Sequence, residues 1–183
     1  MTVIATVGLP GSGKGEAATV AEELEIPVVV MGDIIREECR KRDLDPSIHH
    51  GEVAKNLREE NGPAAIAELS LPRIKTYLRG NDIVLVDGIR SDEELEVFRD
   101  EFDDFQLISI EAPFETRLER LDDRERDSTD TKEKSLRKRE QRELDFGMGE
   151  AMDQADIQIK NTESLEEFHR KIKSLLTEDV QAP

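Results

Sequence analysis

The segment Gly8-Leu9-Pro10-Gly11-Ser12-Gly13-Lys14-Gly15 constrains this chain more than any other. It follows an apolar run, Val3–Val7, and opens a helix-compatible stretch from Glu16 to Leu24. Strand, glycine loop and helix, in that order, are the context a phosphate-binding loop requires. Glycines let the backbone turn tightly and aim successive N–H groups inward. The helix N-terminus adds partial positive charge beneath an anion. Lys14 can reach the outer phosphates as a mobile cation. The spacing nominates Gly8, Pro10, Gly11, Ser12, Gly13, Lys14, Gly15 and Glu16 as a nucleotide-phosphate cradle. The usual pattern ends Lys-Ser/Thr, and its hydroxyl holds Mg²⁺. Here Lys14 is followed by Gly15 and Glu16, so the metal must be held some other way.

At 183 residues the chain is read as one domain with a real core. Its net charge is −17, from 43 acidic and 26 basic residues. That excess argues against a nucleic-acid partner, which wants a basic face. No Trp is present, which weakens any stacking platform for single strands. The acid is spread along the chain and reads as a halophilic cytosolic surface; the alternative is an ordinary acidic surface that maintains solubility. No apolar run reaches 18 residues, so no membrane span is expected. The N-terminus opens directly with a strand rather than a signal-type segment. Cys39, the one cysteine, excludes an internal disulfide and fits a reducing cytoplasm. It is expected half-buried on a helix. His49, His50 and His169 stand at no zinc spacing with it. His49 and His50, beside Gly51, are expected solvated near a helix start. Oligomeric state stays open.

Short runs rich in Val and Ile mark five strands: Val3–Val7, Pro27–Val30, Ile83–Asp87, Phe105–Ile110 and Ile157–Ile159. They are continuous rather than alternating, as for strands buried on both faces of a parallel sheet. Helical segments separate them, giving an α/β sandwich with right-handed connections. Between the second and third strands, helices are expected over Asp33–Arg42, Gly51–Glu60 and Pro63–Arg79. Asn61-Gly62-Pro63 is a helix stop followed by a proline start. A second long stretch, Pro113 to Asp153, is rich in arginine. Phe98, Phe102, Phe105 and Phe168 are expected in the core.

The strand Ile83–Asp87 ends in an acid that can order Mg²⁺ or its water beside the loop. Asp87-Gly88-Ile89-Arg90 then puts a guanidinium just past a strand's C-terminal end, the edge where open α/β sheets bind ligands. Gly32-Asp33-Ile34-Ile35-Arg36 repeats the arrangement after the second strand, with Asp33 able to cap a helix and to orient an acceptor. Arg117, Arg120 and Arg124 recur at helical spacings with acids interleaved. One reading is a solvated, salt-bridged helix. The other has Arg120 and Arg124, then Arg139, offsetting charge that develops during phosphoryl transfer, with Arg142 a weaker candidate.

The Gly-x-Pro-Gly-x-Gly-Lys-Gly loop, the Gly-Asp-x-x-Arg unit and Asp87-Gly88-Ile89-Arg90 resemble the adenylate-kinase-type nucleoside monophosphate kinases. The whole chain is more similar still to an archaeal adenylate-kinase-related P-loop family, sometimes labelled dephospho-coenzyme-A-kinase-like. Val86–Ser91, Arg142–Gly147 and the Gly15-Glu16 variation carry that likeness. It implies a three-layer P-loop fold with a five-stranded parallel sheet (core 1–32, 81–120 and 145–177), a helical acceptor-binding insertion (33–80) and a lid (121–142). It implies that Arg36 and Arg90 hold the acceptor's phosphate. Asp33 joins them as a substrate-binding residue, and Asp87 holds the metal. The segment Ala155–Asn161 resembles the last strand of several small-molecule kinases, with Asn161 near the nucleotide base. The expected cofactors are ATP and Mg²⁺. The expected activity is transfer of the γ-phosphate to a small nucleotide or nucleotide-like acceptor. The alternatives are a nucleotide-binding switch or slow ATPase that regulates a partner, and, less favoured by the acidic surface, a nucleic-acid-binding ATPase.

Overall fold

The structure, a computed structural model, describes residues 1–122 and 129–178. Its sheet contains β1 (Thr2–Val7), β2 (Val28–Val30), β3 (Ile83–Asp87), β4 (Phe105–Glu111) and β5 (Ile157–Lys160). The strand order is β2-β3-β1-β4-β5, and every pair is parallel. The helices are α1 (Lys14–Glu23), α2 (Met31–Lys41), α3 (Pro46–Asn61), α4 (Ala65–Leu78), α5 (Asp92–Glu101), α6 (Phe114–Asp122), α7 (Thr129–Asp145), α8 (Met148–Asp153) and α9 (Leu165–Glu178).

Continuous apolar strands make sense once both faces are covered. On central β1, Val3, Ala5 and Val7 enter one core, with Val84 and Val86 of β3 and the apolar sides of α2 to α5 and α8. Ile4 enters the other, against Ala17, Val20 and Ala21 of α1 and Phe168, Ile172 and Leu176 of α9. This gives the three layers. Because all strands run one way, Val7, Val30, Asp87, Glu111 and Lys160 end on the same edge of the sheet. The polar loops that follow them converge there.

All five expected strands form, within a residue or so of the expected ends. Phe98 and Phe168 are fully buried, one in each core, and Phe102 and Phe105 pack on the core that holds Phe98. Ser164 accepts from the Glu167 N–H as the cap of α9. Three expectations need correction. Helix α2 starts at Met31, immediately after β2, so Asp33 lies inside the first turn and does not cap it. Helix α3 starts at Pro46, not Gly51: Asp45 accepts from the Ser47 N–H at 2.9 Å, and proline takes the first turn, where its missing N–H costs nothing. Cys39 is wholly buried on α2 rather than half-buried.

Candidate functional site

The glycine loop lies between β1 and α1, at the C-terminal edge of the sheet. Two of its glycines are required by close approach. A Cβ on Gly8 would run into the Ile110 carbonyl oxygen and stand 2.7 Å from Ser12 Oγ. Gly13 has φ 115°, and a Cβ there would collide with the Asn161 amide. No side chain caps α1, so its first N–H groups are left to a ligand, as an anion site requires. Lys14 Nζ reaches back and donates to the Gly8 carbonyl. Its ammonium lies deep among protein atoms, and that burial pulls its pKa below the ordinary value; Asp87 acts in the opposite sense. A bound phosphate would favour its charged form.

Behind the loop stand residues whose place the spacing alone does not show. Arg117 is 3% exposed. It donates to the carbonyls of Ala112 (3.0 Å) and Pro10 (3.2 Å) and pairs with Glu140 at 2.5 Å. Arg120 donates to the carbonyls of Ser12 (3.2 Å) and Asn161 (2.8 Å) and to the Asn161 side chain (3.2 Å). Asn161 is buried, and its amide donates to the Ser12 carbonyl at 2.8 Å. These groups hold the loop through its outward-facing carbonyls, so the inward N–H groups keep their aim. Arg120 and Asn161 thus brace the loop in this arrangement. Glu16 is held by His169 of α9 at 3.1 Å. Nothing lies within 4 Å of a Cβ built on Gly15, the position where a hydroxyl is usual. Arg124 lies outside the described residues.

In front of the loop is a cleft of about 230 Å³, lined among others by Gly8, Pro10, Lys14, Asp87 and Arg139. Arg36 and Arg90 line it too, so the structure brings both expected acceptor arginines to the loop. Asp87, at the end of β3, accepts from Thr6 Oγ1 at 2.9 Å. Asp33 is not among the lining residues. It is an exposed partner of Arg36, at 2.6 Å.

Four further polar residues line the cleft that were not expected as site residues: His50, Arg58, Glu94 and Glu143. Glu94 is wholly buried. It accepts from Arg58 (2.9 Å) and from the Arg90 N–H (2.9 Å). Burial pushes its pKa up, while Arg58 pulls the other way. Glu143 of α7 pairs with Arg90 at 3.0 Å. His50 is not solvated as expected. Its Nε2 is enclosed without a hydrogen-bond partner. A Cβ on Gly32 would stand 3.5 Å from Arg36 and 3.7 Å from His50 Nε2, so both side chains converge on that glycine. Burial lowers the His50 pKa, with Arg90, Arg36 and Arg142 adding to the effect and the Gly32 backbone opposing it. The uncharged imidazole is therefore favoured over the charged one. The cleft holds five cations (Lys14, Arg36, Arg58, Arg90, Arg139) against three carboxylates (Asp87, Glu94, Glu143). In a chain of net charge −17, this local cationic excess marks an anion site.

Fold and loop together define a P-loop kinase-like α/β protein. Solved structures share the architecture. TT1252 from Thermus thermophilus superposes with a TM-score of 0.66 at 20% identity, covering 97% of each chain. Shikimate kinase from Aquifex aeolicus does so with a TM-score of 0.53 at 20% identity over the whole of both chains. Residues 7–137 match the family described as AAA domain. A UPF0200 protein of Halobacterium salinarum is 56% identical over 181 residues, 98% of this chain and 95% of that protein. One of Methanoculleus marisnigri is 48% identical, covering 96% of both. The chain belongs to the UPF0200 family of archaeal proteins. No helix among the described residues is long and apolar enough to cross a membrane.

Proposed function

We propose that this protein is an ATP-dependent kinase that transfers a phosphoryl group to a small anionic acceptor, a nucleotide or nucleotide-like metabolite. One observation carries the reading: the Lys14 loop opens directly into a second cluster of cations, Arg36, Arg90 and Arg139, in the same cleft. A phosphate loop alone fits any nucleotide binder. A loop continuous with a second anion site fits two anionic ligands held end to end.

The loop N–H groups and Lys14 would hold the β- and γ-phosphates of ATP. The glycine geometry supports this, since a side chain at Gly8 or Gly13 would collide with Ile110 or Asn161 and push the loop out of this shape. Mg²⁺ fits as well. It takes one or two carboxylates plus phosphate oxygens, and Asp87 supplies such a carboxylate beside Lys14. No group of three or more His, Cys, Asp or Glu side chains able to hold a metal occurs among the described residues, so phosphate oxygens and water would complete the shell. Bound Mg²⁺ would supply charge neutralisation on the transferring phosphate. Arg36 and Arg90 would orient the acceptor through its anionic group. Arg139 would offset charge in the transition state. In this reading residues 33–80 are the acceptor-binding insertion and residues 121–142 the lid. Arg120 and Asn161 serve by positioning the loop.

The test is a screen of all nucleoside monophosphates and dephospho-coenzyme A with MgATP at high KCl, read by acceptor mass. Gain of one phosphate together with ADP formation supports the kinase. ATP bound and hydrolysed at one rate with or without every acceptor would instead select the switch or slow ATPase, which the bare Gly15 position favours.

A further inference from the structure

We infer that the group phosphorylated is an alcohol, and that Glu143 Oε2 is the general base that receives its proton. This rests on the kinase reading above and narrows it to a substrate class: small anionic molecules bearing a reactive hydroxyl.

Glu143 lines the cleft, and its side chain is 6% exposed. Both neighbouring guanidinium groups engage the same oxygen. Arg90 lies 3.0 Å and Arg142 3.6 Å from Oε1. Oε2 is enclosed and has no hydrogen-bond partner. The other cleft carboxylates differ. Both oxygens of Glu94 are taken, by Arg58 and by the Arg90 N–H. Asp87 receives the Thr6 hydroxyl on Oδ1, and in the kinase reading its other oxygen is left to Mg²⁺. A buried oxygen left without a partner is costly, which marks Oε2 as a place for a ligand.

The chemistry of that ligand group follows from its surroundings. A metal ion on Oε2 would stand beside Arg90 and Arg142, against its charge. A phosphate oxygen would face a carboxylate, like against like, and at neutral pH it carries little proton to give. A hydroxyl suits the position, because it can donate to Oε2. The transfer site is close: Glu143, Asp87, Arg90 and Arg139 all act electrostatically on Lys14. Arg36 and His50, converging on Gly32, and the part of the Arg90 fork that Glu143 does not engage would take the acceptor's anionic handle, whether phosphate or carboxylate.

The step balances as follows. The hydroxyl oxygen forms a bond to the γ-phosphorus. The bond from that phosphorus to the β,γ-bridging oxygen breaks, and its electron pair leaves with ADP. The hydroxyl proton passes to Oε2 and later to solvent.

Water is the smallest hydroxyl nucleophile, so the test can begin with ATP alone. Glu143→Gln keeps an oxygen for Arg90 and removes the base; Glu143→Ala removes both. Acceptor-free hydrolysis should fall roughly 10²-fold or more in each, with ATP affinity by calorimetry and the unfolding midpoint of Glu143→Gln close to wild type. Hydrolysis at the wild-type rate in a folded Glu143→Gln that binds ATP overturns the inference. AMP provides the second arm, since it offers a phosphate and ribose hydroxyls in one molecule. Phosphorus NMR of the product should show a new phosphomonoester. A new phosphoanhydride, made equally by Glu143→Gln, overturns it. Wild-type protein that binds no ATP would sink the kinase reading itself, an outcome separate from both.

Discussion

The two sides of the cleft use arginine in opposite ways. On the loop side, Arg117 and Arg120 donate mainly to backbone carbonyls, of Pro10 and Ala112 for the one and of Ser12 and Asn161 for the other. A carbonyl cannot leave, so these cations are fixtures of the loop. On the acceptor side, Arg36, Arg58 and Arg90 pair with the carboxylates of Asp33, Glu94 and Glu143. A ligand anion can compete for such a guanidinium, because it offers the same planar contact. One residue type thus builds a rigid wall and an exchangeable one. The difference teaches that a cation is diagnostic of ligand contact only after its present partners are known.

Substitutions can break this contrast at several strengths. The largest loss should come from Gly8→Ala, whose Cβ meets the fixed Ile110 carbonyl. Overpacking and backbone strain together should cost about 2–4 kcal/mol in urea unfolding. Unchanged stability there would mean the loop is not held as tightly as described. Arg117→Ala should follow, at about 2–3 kcal/mol, because it strands Glu140 and two carbonyls beside a site that is 3% exposed. Its counterpart, Arg36→Ala, removes an exposed pair and should change stability by less than about 1 kcal/mol, yet it should raise the KM for acceptor at least about tenfold. Equal stability losses for the two arginines would erase the distinction between the walls.

Two weaker effects do not depend on the contrast between the walls. At net charge −17, lowering KCl should reduce the melting temperature, since the screening length grows from about 3 Å at 1 M to about 30 Å at 0.01 M. A flat series from low to molar KCl would reject the halophilic reading and leave the loop untouched. The smallest effect concerns His50. Its folded pKa lies below the ordinary value of 6.5, so between the two values the unfolded chain holds more protons. Stability therefore rises with pH across that window and falls on acidification through it. In His50→Gln this part of the slope should vanish, and a slope identical to wild type would remove His50 from the cleft's interior.

The sheet was legible because burial on both faces writes one continuous signal, seen in Val3–Val7 and Ile83–Asp87. The loop was legible because glycine spacing and Lys14 act locally. The cleft's second wall was legible only in Arg36 and Arg90, and not in the partners that hold them. Glu143 lies 53 residues from Arg90, and Arg58 lies 36 from Glu94, so no local pattern ties either pair. His50 was misread because Gly51 suggested a helix start, whereas Asp45-Pro46-Ser47 is the stronger cap and turns His50 inward to face Gly32. Asp33 was misread as a cap: its Gly-Asp context suggested one, but α2 begins two residues earlier and the acid pairs with Arg36.

The central claim is that the loop closed by Lys14 holds the phosphates of ATP. Its most direct test is a calorimetric titration of MgATP into wild type and Lys14→Ala at high KCl, with unfolding followed in parallel. Losing a charge-assisted phosphate contact should weaken binding by about 2–4 kcal/mol, roughly 30- to 1000-fold, with the fold intact. Equal ATP affinity in a folded Lys14→Ala would contradict the account.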